Sequence, residues 1–301
     1  MIRLGTRGSA LALAQARWVA ERLRGEVELV PIKTSGDERR RGTPELADKS
    51  RFVKEIEEAL LAGEIDLAVH SAKDVPAELP DGLIILAVPE RADARDAICG
   101  APSLAELPEG AVVGTASLRR RALLLALRPD LDVRDLRGNV DTRLRRLAEG
   151  DFDAIVLAQA GLDRLGRGTE GHPLDAARFV PAPGQGCLLI EARDADEAAA
   201  EACAGLTDGA ANSCLIEERY LVHRLGATCH TPVGVHAVEG GDSRTLTAFA
   251  GLPDGSRWIR DELEAPLGSG PPMLALNVAE RMIAAGAGEL LEEAERAVAG
   301  G

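Results

Sequence analysis

The sequence predicts an α/β protein: two doubly wound lobes, each a mostly parallel sheet covered by helices, followed by a small α+β module. Three observations carry that expectation. Short apolar runs alternate with amphipathic stretches through residues 2–88. The same alternation restarts after a polar break at residues 89–93. Beyond Thr231 the pattern changes to alternating strands closed by two helices.

In order, a strand over 2–4 leads through Gly5-Thr6-Arg7-Gly8-Ser9 into a helix over 10–24. A strand over 26–32 and a polar stretch follow, then a helix near 52–62 with Phe52, Ile56, Ala59 and Leu60 on one face. Strands over 65–69 and 83–88 complete the first lobe. In the second, strand 111–114 precedes helix 117–127, and strand 131–136 precedes helix 140–148, which Gly150 closes. Strand 154–157 comes next. Pro181, Pro183, Gly184 and Gly186 mark a second break as a hinge or crossover. Strand 187–192 and two helices ending near Gly226 follow it. The tail reads as strands over 231–238, 245–250 and 258–263, with Asp254-Gly255 as a hairpin turn, then helices over 274–285 and 287–298. The expected domains are 1–89 with 187–206, 90–186, and 207–301.

Bulk properties narrow the function. A chain of 301 residues can bury a large core in two or three domains. Its formal net charge of −14 argues against nucleic acid as a partner, since duplex binding rests on neutralising phosphates. No apolar run approaches the ~18–20 residues of a membrane span, and the N-terminus enters strand-like sequence without a signal-peptide core. A cytoplasmic monomer that binds no membrane is expected. Five widely spaced cysteines without a Cys-x-x-Cys pair fit reduced thiols. His223, Cys229, His230 and His236 lie close in sequence but miss the paired zinc spacings, so no metal is expected. Arg clusters at 119–121 and 137–146 on an acidic chain suit a small polyanion.

The most informative stretch is Ile65-Asp66-Leu67-Ala68-Val69-His70-Ser71-Ala72-Lys73-Asp74-Val75-Pro76. A buried strand runs without a spacer into ionisable residues and then a proline that blocks continuation. Open α/β sheets place ligands at the carboxyl ends of strands, so Asp74 sits where a catalytic carboxylate is useful. Taken alone, an Asp at a strand end reads first as a helix N-cap or loop residue making one local hydrogen bond. Gly5-Thr6-Arg7-Gly8-Ser9 joins a strand to a helix start, where free N–H groups and the helix dipole favour anions, although the turn taken alone reads first as a mere helix cap. Val113-Gly114-Thr115-Ala116-Ser117-Leu118-Arg119-Arg120 repeats the design, and Leu136-Arg137-Gly138-Asn139-Val140-Asp141-Thr142-Arg143-Leu144 supplies it again. Adjacent helical positions diverge, so Arg121 is expected to be the exposed, dispensable member of its cluster. Cys229 stands in a loop, Gly226-Ala227-Thr228-Cys229-His230-Thr231-Pro232-Val233-Gly234, and is either a small buried hydrophobe or a point of covalent attachment.

Seven segments in one order give the chain a whole-length resemblance to the porphobilinogen deaminase family. They are Thr6-Arg7-Gly8-Ser9, Phe52-Val53-Lys54-Glu55, Ala68 through Pro76, Gly114 through Arg120, Arg137-Gly138-Asn139-Val140, Pro183-Gly184-Gln185-Gly186 and Cys229 through Gly234. The resemblance implies three domains, the first two like the lobes of periplasmic binding proteins. It implies a transferase that joins four porphobilinogen molecules head to tail, releasing ammonia and a linear tetrapyrrole. The primer implied is a dipyrromethane cofactor, thioether-linked to Cys229. By the same matching, Asp74 is the catalytic carboxylate. Ser9, Lys73, Thr115, Ser117, Arg119, Arg120, Arg137, Asn139 and Arg143 would hold the cofactor. Arg7, Lys49, Arg164 and Gln185, with Arg137 and Arg143, would hold substrate. The chain departs from the family at Ala116, at Ala227-Thr228 before the attachment cysteine, and across 47–52, which is often Gly-rich. The rival from another class is a non-catalytic, two-lobed binder of organic anions. It leaves Asp74 and the Cys229 loop unexplained.

Overall fold

Three sheets account for the strands among residues 1–34, 53–228 and 231–299, which the computed structural model describes. The first lobe holds β1 (Ile2–Arg7), α1 (Ala10–Ala20), β2 (Val27–Ile32), α2 (Lys54–Leu61), β3 (Leu67–Ser71) and β4 (Leu83–Ala87). Next come β5 (Asp96–Cys99), β6 (Val112–Gly114), α3 (Leu118–Leu127), β7 (Asp132–Arg134), α4 (Val140–Ala148), β8 (Ala154–Ala158), α5 (Gln159–Arg164) and β9 (His172–Pro173). The chain returns through β10 (Leu188–Arg193), α6 (Glu197–Ala202) and α7 (Gly209–Arg224). It ends with β11 (Val233–Gly240), β12 (Ser243–Gly251), β13 (Trp258–Pro266), α8 (Met273–Ala284) and α9 (Ala287–Ala299). Two compact units result, Met1–Ala92 with Gly186–Asn212 and Asp93–Gln185 with Ser213–Gly301.

In the first unit the sheet order is β2-β1-β3-β10-β4. Strand β1 runs parallel to β2 and β3, whereas β10 lies antiparallel between β3 and β4. The reversed strand is the one that returns after the second break. Alternation along β3 sends Leu67 and Val69 to one face, where they join Ala16, Val19, Leu188, Ile190 and Ala199. Ala68 faces the other side, with Ile56, Leu60, Ile65 and Leu83. Helices therefore cover both faces, which is why β3 reads as a near-continuous apolar run. Each such fully buried Leu or Ile contributes about 1.5–3 kcal/mol. Helix α1 is shorter than expected: it caps at Glu21, and Gly25 turns the chain at φ 85°.

The second unit repeats the plan in the order β7-β6-β8-β5-β9. Strand β6 is parallel to β7 and β8, and β5 is antiparallel to β8. Strand β5 was not expected from the sequence. It has four residues, too few to show a period. Helix α3 covers one face through Ala122, Leu123 and Leu124, while Leu144 of α4 and Leu162 of α5 cover the other. The third sheet, β11-β12-β13, is antiparallel, with α8 and α9 on its inner face. Asp254-Gly255 does lie in the β12–β13 connection, but that loop spans 252–257, closed by Leu252 N–H donating to the Arg257 carbonyl at 2.9 Å.

Candidate active site

Parallel pairing of β1 with β3 sets Leu4 beside Leu67 and Gly5 beside Ala68, so both strands end at one edge of the first sheet. Strand β1 runs out through Arg7 to Ser9, whose Oγ accepts the Ala12 N–H at 3.3 Å and caps α1. Strand β3 runs out through Ser71 into a 3-10 turn, Ala72–Asp74. Three bonds fix that turn. Gln15 Nε2 donates to Ser71 Oγ at 2.9 Å, Ala72 N–H donates to the Cys187 carbonyl at 3.1 Å, and Val75 N–H donates to the Ala72 carbonyl at 3.3 Å. Ala72 and Val75 are buried, whereas Lys73 and Asp74 are half-buried. The backbone is held inside and the two ionic side chains are left at the edge.

The second sheet has an equivalent edge. Gly114 pairs in register with Arg134 of β7 and Ile155 of β8, so the turns after β6, β7 and β8 emerge together. Thr115 N–H donates to the Arg134 carbonyl at 2.9 Å, Thr115 Oγ1 accepts the Ser117 N–H at 3.2 Å, and Ser117 Oγ accepts the Arg120 N–H at 3.4 Å as the cap of α3. Asn139 occupies the cap position of α4 without a side-chain cap bond. Arg143 Nε donates to the Gly138 carbonyl at 2.7 Å, which folds its guanidinium onto that helix start. Arg137 is exposed and meets Asp135 at 3.2 Å. Arg164 ends α5 and is half-buried.

Three residues expected to hold ligand have a further task. Asp96, the first residue of β5, is fully buried. Arg119 Nη1 reaches its Oδ2 at 2.7 Å and the Val180 carbonyl at 2.6 Å. Arg120 Nε donates to Oδ1 at 2.9 Å, and its Nη1 donates to the Val156 carbonyl at 2.9 Å. Gln185 Nε2 donates to Oδ1 at 3.1 Å and to the Ala94 carbonyl at 2.7 Å. Burial opposes the Asp96 charge, but the two guanidinium groups overcome it and hold the carboxyl well below the usual range. Neighbouring arginines thus converge on one carboxylate, because long forks in the first turn of α3 can both bend to the strand beneath. The expectation for Arg121 is corrected: it is half-buried, and its Nη1 donates to the Val133 carbonyl at 2.8 Å.

Sequence reasoning missed Asp96, whose segment looks like a polar linker, and Glu218. The latter is buried on α7, where Oε2 accepts the Gly184 N–H at 2.6 Å and Oε1 accepts the Ala237 N–H at 2.8 Å. Lys49, Phe52 and Cys229 lie outside the described residues. Cys99, Cys187, Cys203 and Cys214 are all buried, and burial pushes the Cys99 and Cys203 thiols up to about 11.

Fold and edges define a class: doubly wound α/β lobes with cationic strand-to-helix turns, joined to a small α+β module. Residues 2–201 match the family model described as porphobilinogen deaminase, dipyromethane cofactor binding domain, and residues 212–284 match porphobilinogen deaminase, C-terminal domain. The chain belongs to the porphobilinogen deaminase family. It is 46% identical to the porphobilinogen deaminase of Deinococcus radiodurans over 97% of this chain and 98% of that one. Identity to the Thermus thermophilus relative is 48%, over 97% and 99%. Solved structures align more distantly. The periplasmic aliphatic sulphonate binding protein SsuA from Escherichia coli is 16% identical with a TM-score of 0.39, over 74% of this chain and 69% of that one.

Proposed function

We propose that Asp74 is the carboxylate through which this chain performs its family's reaction, and that the turns bearing Arg and hydroxyl groups hold the acetate and propionate arms. The chain is a transferase of tetrapyrrole biosynthesis that polymerises porphobilinogen on a dipyrromethane primer. Each addition breaks the aminomethyl C–N bond of one porphobilinogen, releases ammonia and forms one C–C bond. The observation that carries the proposal is the end of β3, where a pinned backbone presents Lys73 and Asp74 side by side at the sheet edge.

Each unit by itself offers groups that suit carboxylate arms: in the first the N–H groups at the start of α1, the Ser9 hydroxyl and the cations of Arg7 and Lys73; in the second the N–H groups at the starts of α3 and α4, the Thr115 and Ser117 hydroxyls, the Asn139 amide and the cations of Arg137 and Arg143. Bound dipyrromethane supplies an electron-rich pyrrole carbon for chain extension. Ser9, Lys73, Thr115, Ser117, Arg137, Asn139 and Arg143 would hold its arms. Arg7 and Arg164, with Lys49 from the sequence matching, would take those of the substrate. Arg119, Arg120 and Gln185 contribute through the frame around Asp96 as well as through charge. Loss of ammonia leaves positive charge on the substrate pyrrole, and a fixed carboxylate lowers the energy of that charge where it develops.

Attachment through Cys229 is supported by the burial of the other four cysteines, since a buried thiol is a poor nucleophile. The accompanying domain division, 1–89 with 187–206, 90–186 and 207–301, is supported by one sheet in each part. We read the chain as a cytoplasmic monomer; its net charge of −14 supports a protein that does not bind nucleic acid, and among the described residues no helix is long and apolar enough to cross a membrane. Asp74→Asn tests the central assignment. It keeps the side chain's shape and removes the charge, so single-turnover ammonia release, normalised to primer content, should fall by about 10²–10³-fold. Wild-type release would make Asp74 a structural cap.

A further inference from the structure

One face of the central strands in the first unit carries a polar pair among its apolar residues. Ala68 and His70 lie on the side of β3 that α2 covers, and the antiparallel register sets Glu191 of β10 opposite Ala68 and Leu189 opposite His70. His70 and Glu191 are therefore diagonal neighbours on one face. His70 Nε2 and Glu191 Oε2 are 3.3 Å apart, with only 4% and 0% of the side chains exposed. The two are not aligned for a hydrogen bond. Nε2 of His70 and both carboxylate oxygens of Glu191 are buried without a hydrogen-bond partner among the described residues. Helix α2 packs against both strands and brings half-buried Glu57 into the electrostatic reach of the pair.

Such a cluster is costly in a core, where apolar residues of similar volume serve stability as well or better. Its position gives it a use. His70 is the last fully sheathed residue of β3 before Ser71, Lys73 and Asp74, so whatever sets the imidazole against Glu191 also sets the strand end. We propose that His70 and Glu191, with half-buried Glu57 of α2 beside them, form a polar cluster that positions the segment bearing Lys73 and Asp74, and that the protonation of Glu57 resets it. The inference rests on the assignment of Asp74. Burial, then the negative field of Glu191, pushes the Glu57 carboxyl up to about 7; His70 opposes the shift and Glu58 adds to it. The groups facing Glu57 are thus Glu191 from β10, His70 from β3 and Glu58 from its own helix. Because the folded value exceeds the unfolded one, this group's stabilisation is fully present below about pH 4.3 and is lost as pH rises through about 7.

The test is a pH profile of kcat and KM on the primer-loaded enzyme. Wild type should show a limb in kcat centred near pH about 7, with KM unchanged. Glu57→Gln should abolish the limb and flatten the melting temperature over the same window. Glu191→Gln removes the main negative field and should also remove the limb; if it fails to fold, the Glu57 variant decides alone. A wild-type profile without the limb, or a limb that persists in folded Glu57→Gln, overturns the proposal. Normal turnover in Asp74→Asn would overturn the assignment of Asp74 instead, so the two failures are distinguishable.

Discussion

Charged residues in this chain divide into those that hold the fold and those left at a sheet edge, and the division is testable one residue at a time. Asp96 is fully buried between Arg119 and Arg120, so Asp96→Asn strands two guanidinium groups without a counter-charge. Breaking a buried pair from one side costs about 3–5 kcal/mol, which a urea midpoint will read as a large loss. Arg137 is exposed, and Arg137→Leu should leave the midpoint within about 0.5 kcal/mol. If Arg137 holds a carboxylate arm as proposed, its cost should fall on chain growth, where a lost charged hydrogen bond is worth about 1.5–3 kcal/mol. Equal stability loss in both variants would erase the distinction. The Asp96 carboxyl is depressed in the folded state, so its stabilisation is present above the unfolded value of about 3.9 and disappears as pH falls below it. Acid unfolding of wild type should carry that slope and Asp96→Asn should lack it.

Among elements, the segment of residues 180–184 is held more firmly than its prolines and glycines suggest. The Val235 N–H donates to the Pro181 carbonyl at 2.9 Å, and Glu218 accepts the Gly184 N–H at 2.6 Å. Gly234 permits the approach: a Cβ there would stand 2.7 Å from the Val180 carbonyl oxygen, a backbone atom that cannot swing aside. Gly234→Ala should therefore lower stability by about 1–3 kcal/mol, read as a shift in urea midpoint with the slope unchanged. An unaffected midpoint would mean that this segment moves freely against β11. A hinge composition can thus lie on a strapped backbone.

For the molecule as a whole, the covalent primer is the feature that separates an enzyme from a binder of anions. Intact mass of wild type should exceed the chain mass by two pyrrole units, and Cys229→Ser should fold yet lack the increment and turn over no substrate. Peptide mapping that places the adduct on Cys99, Cys187, Cys203 or Cys214 would reassign the attachment, against the burial of all four.

Local chemistry made the strand-to-helix turns and the Asp74 strand end legible, because a run such as Leu67-Ala68-Val69 followed by polar residues and Pro76 constrains the backbone within a few positions. Ser9 and Ser117 read as helix starts for the same reason, and both cap their helices. Only the tertiary structure decided what the buried charges face. Asp96 meets Arg119 across 23 positions and Gln185 across 89, and no periodicity spans such distances. Glu191 reads as one polar residue in an apolar strand until the reversed pairing of β10 sets it diagonally beside His70. The sequence by itself determined where chain direction changes and where ionic groups emerge. Which of those groups stay at the surface was decided by strand order, since β5 and β10 run opposite to their neighbours and no local preference encodes that reversal.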